Sequence, residues 1–393
     1  MHKVERKCKD FLTEHFIWFA LFAVFVAGVV MRWTLLPFSS GDLEAFNVPW
    51  MNEMRRYGGN AMVEEGRFNY SPLFFYVFKI VGDVLVGVLT PEMACKLISL
   101  LPEIPLCLMS IVALNKMAGS PQEKVGLHTL VIAIAFWLNP LILFNAAAWG
   151  QTDCYYVLFS LLAVWLMMQE QPVWALCALG ISCSWKLQGV FLVPWVILMY
   201  LCGRKTFSFL WLLLIPAIMA LTSLPMGIMQ MNPLQIFKTF SAQTGEWKKL
   251  TLNYPNLYAL LEEGEEGYSL FAMAGVGLLG AVFCLAAGVL LKRRAVLQGK
   301  KILLVAAWSV LVCVYLLPSM HERYGLAGEL LLLAYALIAR SKTAWAAAGL
   351  CTLAIVNAYS TYLVAELFPV GAAVLMQSAA VLLLSRECYL ECR

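Results

Sequence analysis

Ser71-Pro72-Leu73-Phe74-Phe75-Tyr76-Val77-Phe78-Lys79-Ile80-Val81-Gly82-Asp83-Val84, running on to Leu89, is the stretch on which the topology turns. It is just long enough to cross a bilayer, yet it carries Lys79 and Asp83. Lysine and arginine concentrate in the short loops on the cytoplasmic side of membrane proteins. If 71–89 lies along the interface, the run 93–114 goes from outside to inside, and Lys116 and Lys124 fall inside with every later basic loop. If 71–89 spans, that agreement is lost. The stretch therefore reads as a second juxtamembrane helix. The first is expected around Trp50–Arg56, ended by Tyr57-Gly58-Gly59.

The whole composition supports a membrane setting. The chain has 393 residues, 62% of them hydrophobic and 13% charged, and its mean hydropathy is +0.77. That much apolar surface cannot be hidden in a soluble fold of this length. The apolar runs are continuous rather than alternating, so they read as helices and not as barrel strands. Spans are expected at about 15–33, 93–114, 125–143, 152–168, 172–185, 189–202, 206–226, 268–291, 302–318, 324–340, 343–359 and 367–385, about twelve in all. The fold class is thus all-α, a polytopic integral membrane protein. It is read as one domain, 1–393, with a first outer loop at 38–89 and a large outer loop at 227–267.

The basic start (Lys3, Arg6, Lys7, Lys9) should stay cytoplasmic, and the polar run Met1–Asp10 predicts no cleaved leader. The 12 cysteines form no C-x-x-C pair and mostly lie in apolar runs, so neither disulfides nor a thiolate metal site is inferred. Nucleic acid is not an expected partner; membrane lipids are.

With this topology the polar residues gather on the outer side. Asp42 and Glu44 open the first loop. Gln151 and Asp153 lie in the turn 149–153, Lys186 and Gln188 between two spans, and His321, Glu322, Arg323 and Tyr324 beyond Leu317-Pro318. Each has a plain structural alternative. Asp42, Gln151 and Asp153 suit helix caps, and Glu44 suits a first helical turn. Lys186 suits a snorkelling position, His321 a satisfied histidine, and Arg323 a partner for Glu322. The run Glu262–Glu266 reads as a solvated loop face, and Lys248 and Lys249 read as headgroup contacts. Four separate turns bringing such groups to one face nevertheless suggest a site, because ionisable groups at membrane depth are costly.

The set suits transfer from a phosphate-linked lipid. A departing phosphate needs cations, which Lys186, Arg323 and His321 would supply. An attacking hydroxyl needs a base, and Asp42 is the preferred carboxylate. Glu44 or Asp153 would position the acceptor or a metal.

In order along the chain, Gly41-Asp42-Leu43-Glu44, Asn69-Tyr70-Ser71-Pro72-Leu73, Asn139-Pro140 with Trp149-Gly150-Gln151-Thr152-Asp153, Lys186-Leu187-Gln188 and Met320-His321-Glu322-Arg323-Tyr324 form an ordered set. With it the chain resembles the GT-C-fold glycosyltransferases, most of all bacterial relatives of the GPI mannosyltransferase II (PIG-V type) family. Ser71-Pro72 departs from the commoner Pro-Pro pair. The resemblance implies a hexosyltransferase of the plasma (inner) membrane, working on the extracytoplasmic face. It would move a monosaccharide, mannose in the family, from a polyprenyl-phosphate donor to a glycolipid, polysaccharide or protein acceptor in one inverting displacement. Asp42 would be the base. Lys186, Arg323 and His321 would bind the donor phosphate, while Glu44, Gln151, Asp153, Gln188, Glu322, Tyr324 and Tyr70 position substrates. Metal use varies across the fold; Asp42, Glu44 and His321 are the residues a Mg or Mn ion would take. By fold analogy the polyprenyl tail would enter near 206–226 and 268–291, under the 227–267 loop. The competing readings are a GT-C enzyme for another sugar or a larger unit, and a transporter or flippase of lipid-linked sugars. The latter predicts internal repeats and broken midplane helices.

Overall fold

The computed structural model describes residues 3–57, 70–85, 87–119, 125–229, 240, 248–261 and 267–393. Asn69, Lys124, the Gly58-Gly59 stop and the acidic run Glu262–Glu266 lie outside the described residues, as does most of the 227–267 loop. The helices are α1 Lys3–Glu14, α2 Phe16–Leu35, α3 Val48–Tyr57, α4 Pro72–Val84, α5 Pro91–Leu100, α6 Glu103–Met117, α7 Leu127–Trp137, α8 Asp153–Met168, α9 Pro172–Trp185, α10 Val193–Cys202, α11 Leu214–Met229, α12 Tyr268–Lys292, α13 Lys300–Leu316, α14 Leu326–Ala339, α15 Lys342–Leu363 and α16 Val370–Glu391. The chain is an all-α polytopic membrane protein.

Among the described residues, seven helices are long and apolar enough to cross a membrane: Phe16–Leu35, Pro91–Met117, Leu127–Ala148, Phe209–Ile228, Tyr268–Lys292, Lys342–Leu363 and Val370–Glu391. The other five expected spans coincide with shorter helices, α8, α9, α10 with the 3-10 turn before it, α13 and α14. A 14-residue helix such as α9 rises about 21 Å, less than the roughly 30 Å hydrocarbon core. The polar turns at the ends of these helices therefore sit inside the bundle, where irregular backbone is tolerated only if protein surrounds it. The stretch 71–89 forms α4, whose 13 residues reach about 20 Å. It packs against α3, α5, α9 and α11.

Helix ends follow local chemistry. Thr90 caps α5 by accepting from the Met93 amide, with Pro91 in the first turn. Ser341 caps α15 by accepting from the Ala344 amide. The first span docks through one small patch. Gly28 lies so close to the Trp137 indole that no Cβ fits there, and Arg32 forms a buried ion pair with Glu103 while donating to the Trp137 carbonyl at 3.1 Å. Much of the rest of α2, including Phe22 and Trp33, is exposed, as are Leu270 and Leu285 on α12. Such rows of large apolar side chains suit contact with lipid. Inside, α13 and α14 are buried along almost their whole lengths and form the centre of the bundle.

A candidate site among four polar turns

The turn 149–153 is shaped by an unusual helix ending. Asn139 caps the single turn Pro140–Leu143 by accepting from the Leu141 amide. The chain then widens into π-helical geometry over Phe144–Ala148. Gly150 follows at φ +78, a left-handed conformation that glycine adopts without a Cβ penalty. Lys96, fully buried on α5, donates to the carbonyls of Ala147 (2.6 Å) and Ala148, satisfying groups that the widened turn exposes. A second π-helical segment, Leu43–Asn47, follows Asp42. It is tied to the first: the Ser40 hydroxyl donates to the Trp149 carbonyl at 2.7 Å, and the Asn47 amide to the Gly150 carbonyl at 3.3 Å. Widened turns of this kind recur at functional sites.

These ties place Asp42 among donors. Its Oδ2 accepts from Gln151 Nε2 at 2.8 Å and from Trp149 Nε1 at 3.1 Å. Its Oδ1 accepts from the Tyr362 hydroxyl at 2.8 Å. The Trp149 and Tyr362 rings are stacked, with centroids 4.4 Å apart. Asp153, with a fully buried carboxylate, accepts from Lys186 Nζ at 2.6 Å and from Asn145 Nδ2 at 2.8 Å. Lys186 also donates to Gln151 Oε1 at 3.3 Å and lies 5.7 Å from the Tyr70 ring centroid.

Arg323 joins the turns. Its Nη1 is 3.2 Å from Glu322 Oε1 and 3.4 Å from Asp42 Oδ2, and its Nε is 3.8 Å from Asp153 Oδ2. The guanidinium also faces the Trp149 ring at 4.9 Å. The loop carrying it is pinned by a short parallel pairing of Thr251–Leu252 (β1) with Met320–His321 (β2). The Glu322 amide donates to the Leu252 carbonyl at 3.2 Å. Tyr324 lies against the His321 ring, and its carbonyl accepts from the Tyr156 hydroxyl at 3.3 Å.

Burial and neighbouring charge compete to set ionisation in this cluster. Burial raises the Glu322 carboxyl to about 7, against the opposing pull of Arg323. Burial pushes the His321 imidazole down to about 2, and the Arg323 and Lys186 charges add to the push. His321 is therefore neutral at neutral pH, which corrects the expectation that it binds phosphate as a cation. Burial alone would pull Lys186 down, but Asp153 and then Tyr70 outweigh it and hold the ammonium above its ordinary value. Burial opposes the Arg323 charge as well, yet Glu322, Asp153 and Asp42 hold the group protonated.

The structure thus brings together Asp42, Gln151, Asp153, Lys186, Glu322, Arg323, Tyr70, His321 and Tyr324. Two expected residues stay out. Glu44 is exposed, and Gln188 is half-buried on the 3-10 turn Leu187–Leu192; neither side chain has a hydrogen bond or ion pair among the described residues. Two contributors were not foreseen as site residues: Tyr362 comes from 320 residues away and Lys96 from an apolar helix. Asn145 and Trp149 join from the polar turn that the sequence places on this face. The only sequence trace of Tyr362 is the polar and aromatic run Asn357–Tyr362 near the end of a span.

A hard cation needs several converging oxygen ligands. Among the described residues, no group of three or more His, Cys, Asp or Glu side chains is placed to hold a metal. The Asp42 carboxylate is ringed by the donors Trp149, Gln151, Tyr362 and Arg323. The trio Asp42, Glu44 and His321 therefore does not fit a Mg or Mn ion.

Fold and cluster define a polytopic helical membrane protein with a charged, largely buried site at one end of its short central helices. A family described as GPI transamidase subunit PIG-U matches residues 58–257, just over half of the sequence, and the chain belongs to that family. No curated protein matches the chain. The matched stretch includes Lys96, the turn 149–153 and Lys186, and leaves Asp42, Arg323 and Tyr362 on either side of it. It is a GPI-anchor family, as the sequence motifs suggested, but a different one from the mannosyltransferase II family they resemble.

Proposed function

We propose that the chain is a membrane glycosyltransferase that moves a monosaccharide, mannose as the leading candidate, from a polyprenyl-phosphate donor to an extracytoplasmic glycolipid, polysaccharide or protein acceptor at the plasma membrane. One observation carries the reading. Asp42 keeps a side chain 23% exposed, whereas Asp153 and Glu322 beside it are sealed at 0% and 1%. Of these three carboxylates, only Asp42 is open to a hydroxyl arriving from outside the cluster.

In this reading the acceptor oxygen attacks the anomeric carbon as the bond from that carbon to the phosphate oxygen breaks. The phosphate leaves with the bonding pair, the acceptor proton passes to Asp42, and the anomeric configuration inverts. Tyr362, Trp149 and Gln151 hold the carboxylate in place. Arg323, its side chain 11% exposed and its Nη1 beside Asp42, is the cation that an arriving phosphate would meet. Lys186 is sealed against Asp153 with its side chain 6% exposed. Its role here is to fix Asp153 and Gln151, rather than to touch the phosphate as the sequence suggested.

A second reading rests on the same sealing of Lys186. With its cations paired internally, the cluster would recognise a lipid-linked glycan without transferring sugar, as a subunit of a larger GPI-anchor-type assembly. Purified protein in nanodiscs, given a panel of polyprenyl-phosphate sugars and acceptors, separates the two. The transferase reading expects product from wild type and at least a hundredfold loss in Asp42→Asn at equal folding. Retention of near-full rate by Asp42→Asn removes Asp42 as the base. Glycolipid binding without turnover favours the subunit reading.

A further inference from the structure

The helices that carry the candidate site end, at their opposite tips, around a second feature. Asp153 starts α8, and Met167, Met168 and Glu170 lie at its far end. Arg323 follows α13, and Lys300 and Lys301 begin that helix. There a cavity of about 460 Å³ opens between the end of α8, the segment after α10 and the start of α13. The length of α8, 16 residues, places it about 24 Å from Asp153, so the two sites are distinct.

The cavity wall is two-faced. Its lining includes four cations, Arg204, Lys205, Lys300 and Lys301, against one acid, Glu170. Arg204 pairs with Glu170 at 3.5 Å with both side chains well exposed, a weak pairing. Lys300 pairs with Glu391 at 2.8 Å. Lys205 and Lys301 join no ion pair among the described residues. The α13 N-terminus, with no side-chain cap, adds its partial positive charge. Apart from Gln298 and Gly299, the rest of the wall is apolar, with Met167, Met199 and Leu297 prominent. Backbone bonds hold the rim in place: the Leu297 amide donates to the Cys202 carbonyl at 2.8 Å, and the Arg204 amide to the Leu297 carbonyl at 3.2 Å.

We propose that this cavity is a binding site for an anionic phosphate group, with the headgroup of an anionic membrane phospholipid as its ligand. Two lysines without an ion pair among the described residues, and an arginine with a weak partner, match the phosphate charge. The methionine-rich wall matches the glycerol and first methylenes of a lipid, which a free phosphate does not have. The cavity lies at a helix-end level, where headgroups are found.

The test uses full-length protein in zwitterionic detergent, titrated with phosphatidylglycerol or with phosphatidylcholine, and counts retained lipid by native mass spectrometry. The variant Arg204→Ala/Lys205→Ala/Lys301→Ala removes that arginine and those two lysines. Arg340→Ala/Lys342→Ala, at the same end of the bundle, controls for diffuse attraction. The pocket variant should hold phosphatidylglycerol about tenfold more weakly, while the control stays within about twofold of wild type. Lys301→Gln alone should weaken retention about threefold, and it keeps the test valid if the triple variant unfolds. Competition by millimolar inorganic phosphate would show that the phosphate group alone suffices; no competition would show that the lipid body is required. Equal loss in the pocket and control variants, or equal retention of phosphatidylcholine and phosphatidylglycerol by wild type, overturns the proposal.

Discussion

Arg323 Nη1 stands 3.4 Å from Asp42 Oδ2 while the same guanidinium faces Glu322 at 3.2 Å and Asp153 at 3.8 Å. One planar cation thus serves three carboxylates supplied by three separate parts of the chain. A lysine ammonium is a compact point charge and cannot reproduce that fork. Arg323→Ala should destabilise the protein by roughly 3–5 kcal/mol, because it leaves buried carboxylates uncompensated. Arg323→Lys should recover only part of that. Thermal unfolding of both variants checks this, and full recovery by lysine would count against the three-way arrangement.

Lys186 and Asp153 form a second buried pair, at 2.6 Å with side chains 6% and 0% exposed. Breaking a buried pair from one side strands a charge and costs about 3–5 kcal/mol. Lys186→Met alone should therefore be worse than Lys186→Met/Asp153→Leu. A double-mutant cycle on unfolding measures the coupling; additive losses would mean that the two groups do not depend on each other.

His321 and Glu322 predict opposite pH slopes. The folded Glu322 carboxyl titrates near 7 against an ordinary 4.5, so its proton favours the folded state, and that contribution falls as pH rises from 4.5 to 7. The folded His321 ring stays neutral down to about 2 against an ordinary 6.5, so stability falls as pH drops below 6.5. Between 4.5 and 6.5 the two trends oppose each other. His321→Gln leaves the Glu322 term alone, so relative to wild type its melting temperature should rise as pH falls from 6.5. Glu322→Gln should show the reverse. Parallel melting profiles for the two variants would reject the assignment.

Gly150 sits at φ +78, and a Cβ there would lie 3.0 Å from Leu43 Cδ1. Gly150→Ala should cost about 1–2 kcal/mol from the left-handed backbone alone. It should also push Leu43 away, loosening the neighbouring Asp42 contacts. The expected readout is a lower melting temperature and, on the transferase reading, a larger fractional loss of sugar transfer. A loss of stability with unchanged turnover would uncouple this turn from the site.

The sequence by itself determined which segments are apolar enough to be helices, the short helix within 71–89 among them. Those are properties of consecutive residues: continuous hydrophobicity, the intrusion of Lys79 and Asp83, and the bias of basic loops. It also identified Asp42, Gln151, Asp153, Lys186 and Arg323, because charged or amide groups beside apolar runs are conspicuous in one dimension. Only the tertiary structure decided how those groups are paired. Glu44, two residues from Asp42, turns away along a π-helical segment, while Tyr362, 320 residues on, bonds Asp42 directly. His321 reads as a cation by residue type, but burial beside Arg323 and Lys186 makes it neutral. Lys96 sits in an apolar run and serves two carbonyls of a widened turn. Distance and desolvation govern charge and hydrogen bonding, and both depend on how helices far apart in the chain pack against one another.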